Sequence, residues 1–202
     1  MTAMKPYRDA PIVGILLAAG RGRRFDPSGV QNKLMQTLSS GDVVSVTAAT
    51  NMLSVLPRVV AVVRSGVEAL AAQLQQRGCE VTVCADADQG MGASLVHALR
   101  HMENQVLPAR AWIIALADMP YVQPATIAAL VAAIDAGADI AVPVYQGQRG
   151  NPVAFGRRHL PQLLTLGGDE GARQILKTWP LVEVEVDDAG IRRDIDTISD
   201  LD

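Results

Sequence analysis

Short runs of apolar residues alternate with stretches of helical periodicity along this chain, and the alternation predicts an α/β fold built on a largely parallel sheet. The first run is Ile12 to Ala18. A glycine- and arginine-rich loop follows it, then a helix near Asp42 to Leu56 that Pro57 ends. Arg58 to Val63 is apolar on both faces and rich in β-branched residues, as a central parallel strand requires. Val67 to Arg77 carries Leu70 and Leu74 at helical spacing, with Gly78 placed to close the helix. Further strands are predicted over Glu80 to Cys84, Ala111 to Ala117 and Ile140 to Val144. Helices are predicted over Ala93 to Met102 and from Pro124 to Gly137. Beyond Tyr145 the pattern changes to a QGQRG turn, a short VAF run, a GGDEG loop into a helix, and a VEVEV alternation that predicts an edge strand with one wet face.

With 202 residues, 49% of them hydrophobic, the expected organisation is one domain over 1–202, with 1–11 as a flexible N-terminal segment. A formal charge of −3 provides no global field for nucleic acid or an anionic membrane surface, so any anion site must be local. Aromatic residues make up only 3%, which removes the stacking platform of a single-strand nucleic-acid binder. No apolar stretch approaches the roughly 20 residues that span a bilayer. The polar segment before Ile12 has no signal-peptide pattern. Cys79 and Cys84 lack metal-ligand spacing and read as reduced, buried thiols. The expectation is a cytoplasmic protein that binds neither nucleic acid nor membrane.

Candidate chemistry lies in the loops. LAAGRGRRF, Leu17 to Phe25, sets glycines and three arginines just after a buried strand. Glycine lets backbone N–H groups converge on phosphate oxygens. Arg21, Arg23 and Arg24 packed without a counter-charge would repel by roughly 4 kcal/mol per pair at ~4 Å, and an anionic ligand removes that penalty. Lys33 adds a point charge suited to polyphosphate. The loop is not a P-loop, since no GK[ST] follows, and it is not a dinucleotide fingerprint. A solvated arginine turn is the competing reading. Asp118 ends a strand predicted to be buried on both faces, the edge where ligand crevices lie in open α/β sheets, and suits Mg²⁺ there; an N-cap is the alternative. Asp194 and Asp196 can supply the second metal carboxylate, in competition with a capping box ending at Asp200. Gly90, Gly92 and Ser94 open a helix whose free N–H groups suit a ribose or phosphate. Asp169 reads as another N-cap, with Arg173 in the same first turn.

Together these segments resemble the molybdopterin nucleotidyltransferases, and most closely the molybdenum cofactor cytidylyltransferases. LAAGRGRRF with Lys33 is similar to the family's nucleotide signature, GMGASL to its nucleotide-contacting loop, and ALADMP to its metal motif. RGNPVAF, GDEGAR and RDIDTISDL resemble its later segments. The resemblance implies a single Rossmann-like three-layer α/β/α domain with a predominantly parallel mixed sheet, of the nucleotide-diphospho-sugar transferase type. It implies Mg²⁺ on Asp118 and Asp196, catalytic roles for Arg24, Lys33 and Asp118, and CTP held by Leu17, Ala18, Ala19, Gly20, Arg21, Gly22, Gly90, Gly92 and Ser94. Arg149, Asn151, Asp169 and Arg173 would lie towards molybdopterin. A molybdoenzyme or its maturation chaperone is the implied protein partner. Ala19 resembles the cytidylyl form, where guanylyl relatives have glycine. Two departures stand out: Asp26 in a lengthened loop where glycine is usual, and Asn151 in place of a histidine. A guanylyl- or cytidylyltransferase for another phosphorylated acceptor, such as methylerythritol phosphate or a sugar phosphate, and a non-catalytic nucleotide or cofactor carrier, are the alternatives.

Overall fold

The computed structural model describes residues 7, 9–28, 30–105, 109–168 and 172–201. Five strands follow in chain order with helices between them: β1 (Ile12–Ala18), α1 (Val44–Leu53), β2 (Val59–Arg64), α2 (Glu68–Arg77), β3 (Glu80–Cys84), α3 (Met91–Glu103), β4 (Ala111–Leu116), α4 (Pro124–Asp135) and β5 (Ile140–Tyr145). Shorter elements complete the chain: β6 (Gln148–Arg149), β7 (Val153–Gly156), α5 (Leu160–Leu163), α6 (Arg173–Thr178) and β8 (Val182–Glu185).

The strands join in one sheet of order β3-β2-β1-β4-β7-β5-β6, with β8 parallel to β5. β3, β2, β1 and β4 are mutually parallel, while β7 runs antiparallel between β4 and β5. The mixed sheet follows from that insertion. β1, β2 and β4 are central strands and their apolar runs bury both faces, as their sequences predict.

Alternate side chains divide between two cores. Ile12 and Leu16 of β1 pack with Ala48 and Met52 of α1, Leu70 and Leu74 of α2, and Ile127 and Leu130 of α4. Val13 and Ile15 face the other way, onto Leu95 and Leu99 of α3, Leu163 of α5 and Ile175 of α6. The result is the three-layer α/β/α arrangement expected from the sequence. Helix bounds differ little from expectation. α1 stops at Leu53, short of Pro57, and α3 begins at Met91, two residues early, so its first turn absorbs Gly92.

α4 has Pro124 in its first turn but no side-chain cap of its own. Its N-terminus is held from the far end of the chain. The buried carboxylate of Asp188 accepts hydrogen bonds from the Gln123 N–H at 2.8 Å and the Thr126 hydroxyl at 2.6 Å, and its other oxygen accepts from the Gly190 N–H at 2.9 Å. This ties the carboxyl-terminal segment to the middle of the fold. The segment then passes close to two backbones. A Cβ on Gly190 would stand 2.1 Å from the Tyr121 carbonyl oxygen, and one on Gly150 would stand 2.2 Å from that of Ile191.

Candidate active site

The carboxyl edge of the sheet gathers the loops singled out above. β1 runs into Ala19 and Gly20, and the chain turns back at Gly22, whose φ of +61° favours glycine. The Phe25 and Asp26 N–H groups both donate to the Gly22 carbonyl, at 2.9 and 3.1 Å, and the buried Phe25 ring anchors the turn. Asp26 is turned into its own loop. Its carboxylate accepts from the Ser28 hydroxyl at 2.6 Å, the Ser28 N–H at 2.8 Å and the Gln31 N–H at 2.7 Å. Those bonds, the Ser28 hydroxyl foremost, hold its pKa down at about 2. The Asp26 carboxylate therefore organises its own loop.

Asn32 caps a short 3-10 turn, accepting the Leu34 N–H at 3.0 Å, and this turn sets Lys33 beneath the glycine loop. Only 10% of the Lys33 side chain is exposed. Its ammonium donates to Asp118 Oδ2 at 2.6 Å and to the Ile195 carbonyl at 3.0 Å, and reaches Asp196 Oδ1 at 3.5 Å. Arg24 pairs with the other oxygen of Asp196. Residues separated by up to 172 positions in sequence thus meet in one cluster.

Asp118 lies just beyond β4, and its backbone carbonyl accepts the Ile195 N–H at 2.8 Å. That bond aligns the chain so that Asp196 follows beside it. The capping role anticipated for this stretch falls to Asp200, whose Oδ2 accepts from the N–H groups of Asp196 at 3.1 Å and Thr197 at 2.6 Å, and from the Thr197 hydroxyl at 2.8 Å. The Asp196 carboxylate is left to face the cations. Asp118 Oδ1 is buried and accepts no hydrogen bond from the described residues. A buried, unsatisfied carboxylate oxygen beside a second carboxylate and a backbone carbonyl is a hard-oxygen donor set that fits Mg²⁺, which takes few protein ligands and relies on substrate phosphates for others.

Above this cluster opens a cleft of about 550 Å³. Leu17, Ala19, Gly20, Arg21, Lys33 and Asp118 line it on one side, and Gly90, Met91 and Ser94 on the other. Ala18 is buried in the core and does not line it. Gly92 sits differently from expectation. Its N–H donates to the Gly168 carbonyl at 2.9 Å, so it is not a free amide, and a Cβ there would lie 2.9 Å from the Gly167 backbone. Gly92 lets the 167–168 loop dock on the first turn of α3. Across the cleft mouth Arg21 forms a two-pronged ion pair with Asp88, at 2.6 and 2.5 Å. The hydrogen bond raises the Arg21 pKa and lowers that of Asp88.

Arg149 and Arg173 meet elsewhere, in an open groove of about 850 Å³ floored by Leu176, Trp179 and Leu181, where Arg149 pairs with Glu183 at 2.6 Å. Asn151 joins neither site. Its N–H donates to the Ile191 carbonyl at 2.8 Å, and the residue lines a small cavity beside Asn51 and Met119. Asp169 lies outside the described residues. Sequence reading missed Asp88, Met91 and the Ile195 carbonyl. Asp88 carried a signal, as an acidic residue heading a glycine loop opposite three arginines. A backbone carbonyl carries none.

A glycine-rich, cationic loop joined to a carboxylate pair at the base of one cleft, at the carboxyl edge of this sheet, is the site of a nucleotidyltransferase. The chain belongs to the family of the MobA-like NTP transferase domain, which matches residues 14–185. It is 33% identical over 205 residues to the purine catabolism protein PucB of Bacillus subtilis (strain 168), covering 96% of each chain. Rv0371c from Mycobacterium tuberculosis H37Rv has a similar structure, with a TM-score of 0.79, 27% identity and 95% of each chain covered. That protein has also been solved in complex with manganese, at a TM-score of 0.75 and 26% identity, over 94% of this chain and 95% of that one. The molybdopterin-guanine dinucleotide biosynthesis protein A of Archaeoglobus fulgidus shares the fold at 22% identity and a TM-score of 0.65, over 94% of this chain and 95% of that one. Among the described residues no helix is long and apolar enough to cross a membrane.

Proposed function

We propose that this protein transfers CMP from CTP to the terminal phosphate of molybdopterin, releasing pyrophosphate and forming molybdopterin cytosine dinucleotide in the cytoplasm. The observation that carries this reading is the meeting of Lys33, Asp118 and Asp196 at the base of the cleft lined by Ala19, Gly20 and Arg21. Both reactants are anions, so catalysis consists of alignment and charge neutralisation. The acceptor phosphate oxygen attacks the α-phosphorus, the bond to the β-phosphate bridging oxygen breaks, and pyrophosphate departs with that electron pair. Gly20, Arg21 and Gly22 hold the phosphates, and Arg24 and Lys33 neutralise charge that grows on the leaving group. Gly90 and Ser94 hold the nucleoside. Asp118 and Asp196 hold Mg²⁺, which when bound supplies further positive charge against the phosphate oxygens.

Arg149 and Arg173, in their shared groove, serve the acceptor side. Ala19 favours cytosine, because a methyl group at the cleft wall disfavours a bulkier purine by about 1 to 3 kcal/mol. The test is direct: purified protein, Mg²⁺, each of the four nucleoside triphosphates and either molybdopterin or methylerythritol phosphate as acceptor, with the product identified by mass. Product with CTP alone supports the reading. Product with GTP alone overturns the base assignment, and turnover with methylerythritol phosphate but not molybdopterin overturns the acceptor.

A further inference from the structure

Lys33 is placed unusually for a phosphate-binding lysine. Its ammonium is surrounded by three oxygens from two distant segments: Asp118 Oδ2 at 2.6 Å, the Ile195 carbonyl at 3.0 Å and Asp196 Oδ1 at 3.5 Å. Two carboxylates and a carbonyl converging on one point form the donor set of a hard divalent cation. The carbonyl is held in place, because the Ile195 side chain is fully buried and its N–H is engaged by Asp118. The lysine stem is the movable part. Its methylenes pack under Gly22, where a Cβ would meet Lys33 Cγ at 3.2 Å, so the stem passes directly below the turn of the glycine loop. A four-carbon chain pivoting there can direct its ammonium either at the carboxylates or at the loop.

We propose that Lys33 is an internal cation that holds the metal's place, competing with it for the carboxylates of Asp118 and Asp196 and for the Ile195 carbonyl, which is the third protein ligand. Two cations on this oxygen set repel strongly, since the Asp118 and Asp196 side chains are only 21% and 25% exposed and water screens the charges only in part. Nucleotide phosphates draw Lys33 up to the loop, and the metal that accompanies them takes the oxygens it leaves. Ion and nucleotide therefore load together, and the nucleotide-free protein keeps its carboxylates neutralised. This inference rests on the reading of Asp118 and Asp196 as metal ligands.

The test is Mn²⁺ binding to nucleotide-free protein, followed by electron paramagnetic resonance of the free ion. Lys33→Met and Lys33→Gln remove the charge and keep most of the stem. Both variants should bind Mn²⁺ about tenfold or more tighter than wild type, although both are expected to lose transfer activity. Adding Asp118→Asn to either should abolish the gain. In the wild-type protein, saturating Mg²⁺ should increase acetylation of Lys33 by an amine-reactive ester, read by mass spectrometry, and this holds the proposal to account if a variant fails to fold. Unchanged or weaker Mn²⁺ binding in folded variants, or unchanged acetylation, overturns the exchange. Tighter binding that survives Asp118→Asn overturns the metal-site reading itself.

Discussion

The Ile195 N–H donates to the Asp118 carbonyl across 2.8 Å, and this one backbone bond joins the end of β4 to a segment 77 residues later. Everything chemical about the cluster depends on that register. A shift by one residue would replace Asp196 with Ile195 or Thr197 beside Lys33.

That register is held by close backbone approaches, so Gly190→Ala should disrupt it. The added methyl would lie 2.1 Å from the Tyr121 carbonyl oxygen, where backbone must move. A loss of about 2 kcal/mol or more of stability is expected in urea denaturation. Wild-type stability in this variant would show that the 188–196 segment does not need its observed path.

Lys33→Ala should lower turnover by about 100-fold or more at saturating nucleotide, because in the proposed mechanism its charge acts on the leaving phosphates. Arg24→Ala should have a smaller effect, because 81% of that side chain is exposed and water screens it. Pyrophosphate release under single-turnover conditions checks both. Equal losses would mean that the two cations share one role.

Glu80 predicts an acid-dependent contribution to stability. Partial burial works to raise its pKa, but hydrogen bonds from Arg58, His101 and Gln105 outweigh it and hold the carboxyl at about 2, against an ordinary 4.5. The depressed folded value means this stability is fully present above pH 4.5 and disappears as pH falls towards 2. Glu80→Gln should flatten the acid limb of a melting-temperature profile over that window. An unaltered limb would refute the assignment.

His159 acts around neutrality. It is 1% exposed, sits edge-on to Phe155 and Trp179, and neither ring nitrogen has a partner among the described residues. Burial first, then the nearby Arg158, lower its pKa below the ordinary 6.5. The unfolded chain therefore takes a proton that the folded one refuses, so stability is full above pH 6.5 and is lost as pH falls below it. His159→Phe should reduce the drop in melting temperature between about pH 7.5 and pH 5.5. An undiminished drop would place its origin in another group.

The central strands were legible because burial on both faces leaves an unmistakable apolar run, as in Val59 to Val63. Glycine-rich loops between them were equally plain. The antiparallel insertion of β7 between β4 and β5 was not, since VAF is too short to encode a neighbour. Gly92 illustrates the same limit: its sequence context suits phosphate contact as well as it suits packing, and only the docked 167–168 loop separates the two.

By itself the sequence determined the α/β alternation, the cationic loop after β1 and the carboxylate after β4, because each is written in residues adjacent along the chain. Tertiary structure alone decided that Asp196 rather than Asp200 faces Lys33, that Asp188 caps α4, and that Arg149 and Arg173 share a groove without Asn151. Those outcomes depend on long-range register, set by which backbone groups pair and which glycines permit close approach, and no local pattern of side chains specifies that pairing.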